Sequence, residues 1–153
     1  MPECINPLWP CALTGAAACL AGFRDIGVII HGSSGCYFYP ATVLHAPLHC
    51  TGLNEEDIIF GTEKALLRTV DALEGEYECL AVLCTCVPSI TGEDLGKVLD
   101  GRDILVMESP GFMGEYEAGY LAAAKLLHLK EDSSSGIVNV DGLSLMDPFY
   151  RGD

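Results

Sequence analysis

Cysteine is the residue type that could do chemistry in this chain. Eight occur among 153 residues, at Cys4, Cys11, Cys19, Cys36, Cys50, Cys79, Cys84 and Cys86. A thiolate binds soft metals, attacks electrophiles or pairs into a disulfide. The even count permits disulfides, but half of the residues are hydrophobic, and a chain with its own core has little need of such staples. No Cys-x-x-Cys pair is present, so the strong structural-zinc spacing is missing. A weaker zinc set is His45, His49 and Cys50, where the intervening Pro47 works against a shared helical face. The expectation is reduced thiols in a cytoplasmic setting, some of them binding metal.

The elements that must position these thiols follow from the apolar pattern. Pro10 precedes a helix-like stretch over Ala12–Phe23. Ile26–Ile30 reads as a strand, and it runs into the turn His31-Gly32-Ser33-Ser34-Gly35-Cys36. Residues 37–54, with prolines at 40 and 47, read as loop. A helix is expected over Thr62–Leu73, with Ala65, Leu66, Val70 and Leu73 on one face. Cys79–Cys84 is a buried strand, Val87–Thr91 a loop and Glu93–Leu99 a short helix. Asp103–Met107 is a further strand, Ser109-Pro110-Gly111 opens a loop, and Glu115–Leu129 is a long helix. A turn at Asp132–Gly136 and a strand at Ile137–Val140 complete the series. Strands alternating with helices imply an α/β fold: a Rossmann-like three-layer sandwich with a mostly parallel sheet and helices on both faces.

In such sheets ligands sit beyond the carboxyl ends of the strands. Cys36 and Cys86 both fall just after strands, and Cys11 falls at a helix start, where free amides and the positive dipole end favour negative charge. Three thiols distant in sequence can therefore meet on one rim. Cys4, Cys19, Cys50 and Cys79 read as small buried apolar residues. Cys84 is two residues from Cys86, and strand alternation would aim both thiols the same way, which leaves it a secondary ligand candidate. Gly32-Ser33-Ser34-Gly35 is not a phosphate loop, since no Gly-Lys-Ser/Thr follows. Its glycines suggest close approach of the backbone to something bulky. Gly32, Ser33 and Gly35 are accordingly candidates for backbone contact with a bound cofactor.

Charge divides the chain. Up to Leu53 only Glu3, Arg24 and Asp25 are charged, and the other 20 acids and seven bases follow. We read one domain over 1–153, with a neutral cofactor or interface segment at 1–53 and an α/β body at 54–153. The net charge of −14 disfavours nucleic acid and anionic membrane surfaces as partners. Cys4–Phe23 is uncharged, but Pro7, Pro10 and Gly15 interrupt it and no basic residue precedes it. Neither a membrane span nor an export signal is expected there.

Four ordered motifs resemble the nitrogenase component 1 family. The first, CALTGAAACLAGFRDIGVIIHGSSGC from Cys11 to Cys36, is similar to the segment between the family's first two cluster cysteines. Leu53-Asn54-Glu55-Glu56-Asp57-Ile58-Ile59-Phe60-Gly61 resembles its acidic run into Phe-Gly. Thr85-Cys86-Val87-Pro88-Ser89-Ile90-Thr91-Gly92-Glu93-Asp94 resembles the segment of the third cysteine, with Thr91 where Ile is usual and Glu93 for the first Asp. Ser109-Pro110-Gly111-Phe112-Met113-Gly114 is similar to the Pro-x-Phe-x-Gly loop. The resemblance covers about residues 11–120.

It implies that Cys11, Cys36 and Cys86 hold an iron–sulfur cluster, [4Fe-4S] or P-type, at an interface with a second component-1-like chain. That partner would form a homodimer or an αβ pair with this chain, and electrons would arrive from an ATP-dependent iron protein. Three thiolates are one short of a four-cysteine cluster, so a second chain or a non-thiolate group must complete it. Family members are more than twice as long. Residues 141–153 look like a linker, so the chain reads as the family's N-terminal subdomain, either a fragment or a stand-alone module. Three functions stay open. They are a subunit of a redox enzyme, a non-catalytic assembly scaffold or electron carrier, and a plain α/β binding domain with reduced thiols.

Overall fold

The computed structural model describes residues 10–129. Its centre is a four-stranded sheet of β1 (Ile26–His31), β2 (Leu48–Cys50), β3 (Cys79–Cys84) and β4 (Ile104–Glu108). The strand order is β2-β1-β3-β4, and every pairing is parallel. Parallel strands need crossover connections, and these supply the helices on each face. The helices are α1 (Ala12–Ala21), α2 (Ser34–Leu44), α3 (Glu55–Phe60), α4 (Glu63–Leu73), α5 (Cys86–Thr91), α6 (Leu95–Val98) and α7 (Tyr116–Leu126). A 3-10 turn lies at Gly111–Met113.

Side-chain alternation along the strands builds two cores. Val28, Ile30, Ala81, Leu83 and Met107 join Leu13, Ala16, Ala17 and Leu20 of α1 and Ala123 of α7. Ile29, Leu80, Val82 and Cys84 join Leu66, Val70 and Leu73 of α4 and Leu95 of α6. Odd and even positions of one strand thus face opposite layers. A sheet buried on both faces explains why its strands are continuous apolar runs.

Three expectations need correction. The stretch read as loop at 37–54 holds the rest of α2, to Leu44, and then β2. Pro40 sits inside α2 and is its one buried residue. Proline removes one helical hydrogen bond. Here Tyr37, Ala41 and Leu44 pack against the α1-side core, and packing outweighs that loss. Val87–Thr91, expected as loop, belongs to the helix Cys86–Thr91, because Pro88 falls in the first turn, where no backbone donor is needed. The expected helix at Glu93–Leu99 shrinks to α6. Gly92 in the left-handed region (φ 73°) ends α5, and Asp94 caps α6 by accepting from Lys97 N. Helix α3 was not expected, although Asn54 and Asp57 close a reciprocal capping box at its start. The turn at 132–136, the strand at 137–140, the linker and Cys4 lie outside the described residues.

Helices α1 and α7 touch backbone to backbone. A Cβ placed on Gly15 would overlap the Tyr116 carbonyl, and one on Gly119 would overlap the Ala12 carbonyl. Replacing either glycine forces the helices apart. Gly119→Ala is expected to cost about 1–3 kcal/mol as an overpacked contact. Gly22→Ala, whose new Cβ meets nothing nearer than 3.4 Å, is expected to be neutral or to stabilise by about 0.4–1 kcal/mol through the unfolded chain. Urea midpoints of the two variants check this, and equal midpoints would refute the packing argument.

Candidate functional site

Each of the three thiols stands at the start of a helix. Cys11 is the N-cap of α1, Cys36 is the third residue of α2, and Cys86 is the first residue of α5. The sheet places two of them directly. Strands β1 and β3 run in register up to His31 and Cys84, so α2 and α5 begin side by side at one rim. Cys11 follows no strand and is brought in by pairing with the loop ahead of α7. It bridges Glu115 in antiparallel fashion, Ala12 N donates to Gly114 O at 3.0 Å, and Tyr116 N donates to Pro10 O at 3.1 Å.

The result is a cavity of about 220 Å³ lined by Cys11, Cys36, Cys86, Gly35, Thr85 and Gly111, with Leu13, Thr14, Tyr39 and Pro40 completing the wall. Gly111 lies between two of the sulfurs. Its N–H donates to Cys86 Sγ at 3.1 Å, and a Cβ on it would stand 3.4 Å from Cys11 Sγ and 3.5 Å from Cys86 Sγ. A backbone N–H aimed at a ligand sulfur is the kind of outer hydrogen bond that orients a metal ligand.

Of the expected backbone contacts, Gly35 lines the cavity with the thiols. Gly32 packs on Thr85, whose side chain a Cβ would overlap, so Thr85 is the bulky neighbour that requires glycine there. Gly32 N donates to Thr51 Oγ1 at 3.1 Å. Ser33 is the N-cap of α2, and its carbonyl accepts from Cys36 N at 3.1 Å. Gly111, Thr14 and Thr85 also line the wall, and no spacing in the sequence ties them to the thiols.

Cys84 is not beside Cys86. Strand β3 ends at Cys84, so the expected alternation does not extend to Cys86, and the Cys84 side chain enters the α4-side core. Its Sγ is 3.4 Å from Ser89 Oγ, and Ser89 gives its own proton to Glu108 Oε2 at 2.5 Å. The Cys84 thiol is therefore the donor in that pair. Burial pushes its pKa up to about 12. The zinc set does not assemble either. His49 Nε2 pairs with Tyr77 Oη at 2.9 Å, while Cys50 Sγ lies 3.7 Å from Gly32 O. As adjacent residues of β2 they face opposite ways, and His45 is the left-handed C-cap of α2.

A second polar cluster lies behind the rim on the α4 side. His31 is fully buried. Its Nδ1 is 3.2 Å from Thr51 Oγ1 and its Nε2 is 2.9 Å from Thr62 Oγ1. Thr62 donates in turn to Glu93 Oε2. That direction leaves Thr62 accepting from His31, so the proton sits on Nε2 and Nδ1 accepts. Burial lowers the His31 pKa, with Glu93 opposing.

Among the described residues, no three His, Cys, Asp or Glu side chains stand close enough to hold a single metal ion. The three thiols come from the starts of three different helices and line one cavity, which suits a multinuclear cluster in which each thiolate bonds its own iron. One buried side-chain oxygen among the described residues, Thr14 Oγ1 in this wall, has no hydrogen-bond partner in the protein. Soft sulfur donors, backbone N–H groups and an orphaned hydroxyl all suit an iron–sulfur group. No helix among the described residues is long and apolar enough to cross a membrane.

The nitrogenase component 1 type oxidoreductase family matches residues 11–139. The nitrogenase iron-molybdenum cofactor biosynthesis protein NifE of Clostridium pasteurianum is 26% identical over 91% of this chain and 34% of its own length. The nitrogenase molybdenum-iron protein beta chain of Rippkaea orientalis (strain PCC 8801 / RF-1) is 30% identical over 88% of this chain and 31% of its own. The solved structure of nitrogenase Cp1 at pH 5 superposes with a TM-score of 0.71 at 22% identity, over 84% of this chain and 30% of that one. The chain thus spans about a third of the length of the curated relatives it matches.

Two solution properties follow from the site. Cys84 is expected to stay unmodified by iodoacetamide at pH 8 under native conditions, while Cys11, Cys36 and Cys86 are alkylated; peptide mass mapping reads this out. For His31 the folded state resists a proton that the unfolded chain accepts near its ordinary value of 6.5. Stability is therefore full above that pH and declines as the pH falls below it. Urea titrations from pH 8 to 5 are expected to show the decline in the wild type and a flatter profile in His31→Gln.

Proposed function

Because the chain belongs to the nitrogenase component 1 type oxidoreductase family, we propose that it holds an iron–sulfur cluster through Cys11, Cys36 and Cys86. The observation that carries this reading is the convergence of those three thiols on one cavity. The cluster type is [4Fe-4S] or P-type. When bound, it supplies a site that stores and passes on low-potential electrons. The protein's part is to fix three sulfurs, to donate from Gly111 N to Cys86 Sγ and to line the remaining wall with apolar groups. Gly35 contributes wall beside Cys36, and Gly32 and Ser33 act by setting where α2 begins.

The working unit in this reading is an oxidoreductase subunit that relays electrons from an ATP-dependent iron protein to a substrate site in a larger cytoplasmic assembly. A second component-1-like chain completes the ligand set, as homodimer or αβ pair. The surface near the thiols supports such a partner. Phe38, Ile90, Phe112 and Met113 are 70%, 73%, 64% and 62% exposed, and each lies within four residues of a thiol or of Gly111. Large apolar side chains left this bare mark an association surface. The similarity to a cofactor biosynthesis protein favours a second reading, an assembly scaffold that binds the cluster without turning over substrate.

The test is anaerobic reconstitution with iron(II) and sulfide. The wild type is expected to take up both and to gain broad visible absorption. Cys11→Ala, Cys36→Ala and Cys86→Ala are each expected to lose most of the iron, while Cys79→Ala retains it. If all four variants match the wild type in iron content, the assignment is wrong.

A further inference from the structure

The wall of the thiol cavity holds a polar group that the protein itself leaves unused. Thr14 is 1% exposed, and its Oγ1 is buried with no hydrogen-bond partner. A helical threonine ordinarily gives its hydroxyl proton to the carbonyl three or four residues back. Both of those carbonyls are engaged. Pro10 O accepts from Tyr116 N at 3.1 Å, and Cys11 O accepts from Thr14 N at 3.0 Å and Gly15 N at 3.3 Å. Neither carbonyl takes the Thr14 hydroxyl, unlike Thr42 and Thr69, whose hydroxyls donate to Phe38 O at 2.7 Å and Ala65 O at 3.0 Å.

A buried hydroxyl without a partner is costly, and replacing it by an apolar isostere normally helps a fold. The rest of α1 is lined with small and apolar residues, with Leu13, Ala16, Ala17 and Leu20 in the core. Valine at position 14 would pack equally well there and orphan nothing. Thr14 lines the cavity, whose walls are largely thiol and hydrocarbon, so a group that fills the cavity can supply the acceptor.

We propose that Thr14 is a positioning residue whose hydroxyl donates a hydrogen bond to a sulfur of the cluster held by Cys11, Cys36 and Cys86. This rests on the cluster reading above. A hydrogen bond to cluster sulfur stabilises the more negative, reduced state and so raises the reduction potential. Thr14 then acts together with Gly111 N, which reaches Cys86 Sγ from another wall.

The test compares wild type, Thr14→Val, Thr14→Ala and Thr14→Ser, each with and without iron and sulfide loaded anaerobically. Unloaded Thr14→Val is expected to melt at or above the wild-type temperature. Loaded Thr14→Val and Thr14→Ala are expected to show a midpoint potential shifted negative, and Thr14→Ser to return it to the wild-type value. In the wild type, exchange into heavy water is expected to alter the electron–nuclear couplings of the reduced cluster, and this change is lost in Thr14→Val. Coincident potentials and couplings in loaded wild type and Thr14→Val would overturn the role of Thr14 alone. A wild type that takes up no iron and sulfide would overturn the cluster reading and this inference together.

Discussion

Backbone contact between α1 and α7 is the constraint on which the site depends. Cys36 and Cys86 reach the rim because parallel strands end there, as the fold class requires. Cys11 has no strand to carry it. It arrives because Gly15 and Gly119 let two helices meet with nothing between them, and because residues 10–12 pair with residues 114–116. The same pairing holds the loop that starts at Gly111 against the thiols. Without that close approach the sheet would still form, but the third thiol and the Gly111 amide would be placed independently of each other.

The parts of the fold legible in sequence were those where one local pattern and the tertiary context agree. Strands β1, β3 and β4 are apolar runs buried on both faces, and α4 shows a clean apolar stripe. The rule that places ligands beyond strand ends located Cys36 and Cys86. The illegible parts are those where context overrode local preference. Pro40 sits inside a helix held by packing, and Pro88 escapes its usual penalty by falling in a first turn. The capping box of Asn54 and Asp57 was readable and would have found α3. Thr14 and Gly111 carry no signal in spacing, since they matter only once α1, α5 and the loop before α7 are assembled.

Alternation at the strand ends also separates two kinds of polar chemistry that lie only a few residues apart. His31 and Cys84 end paired strands and turn toward α4, where each finds a neutral arrangement. The histidine gives its Nε2 proton to Thr62, and the thiol keeps its proton beside Ser89. The residues that follow them cross to the other layer and begin α2 and α5, whose first turns face the cavity. A few residues of chain therefore separate a satisfied hydrogen-bond network from the sulfurs that line the cavity.

This division separates Cys84 from the three thiols that line the cavity. A thiol in the α4-side layer must give up its proton against burial and the nearby carboxylates of Glu108 and Glu93. A thiol at the rim meets helix N-termini, a backbone N–H and an apolar wall. The body at 54–153 contributes Thr85, Cys86 and Gly111 to the cavity but no acidic side chain, since none of the lining residues is a carboxylate. An anionic group placed there would face amides and sulfur rather than like charge. Seven of the ten lining residues, Cys11, Leu13, Thr14, Gly35, Cys36, Tyr39 and Pro40, come from the sparsely charged stretch that ends at Leu53.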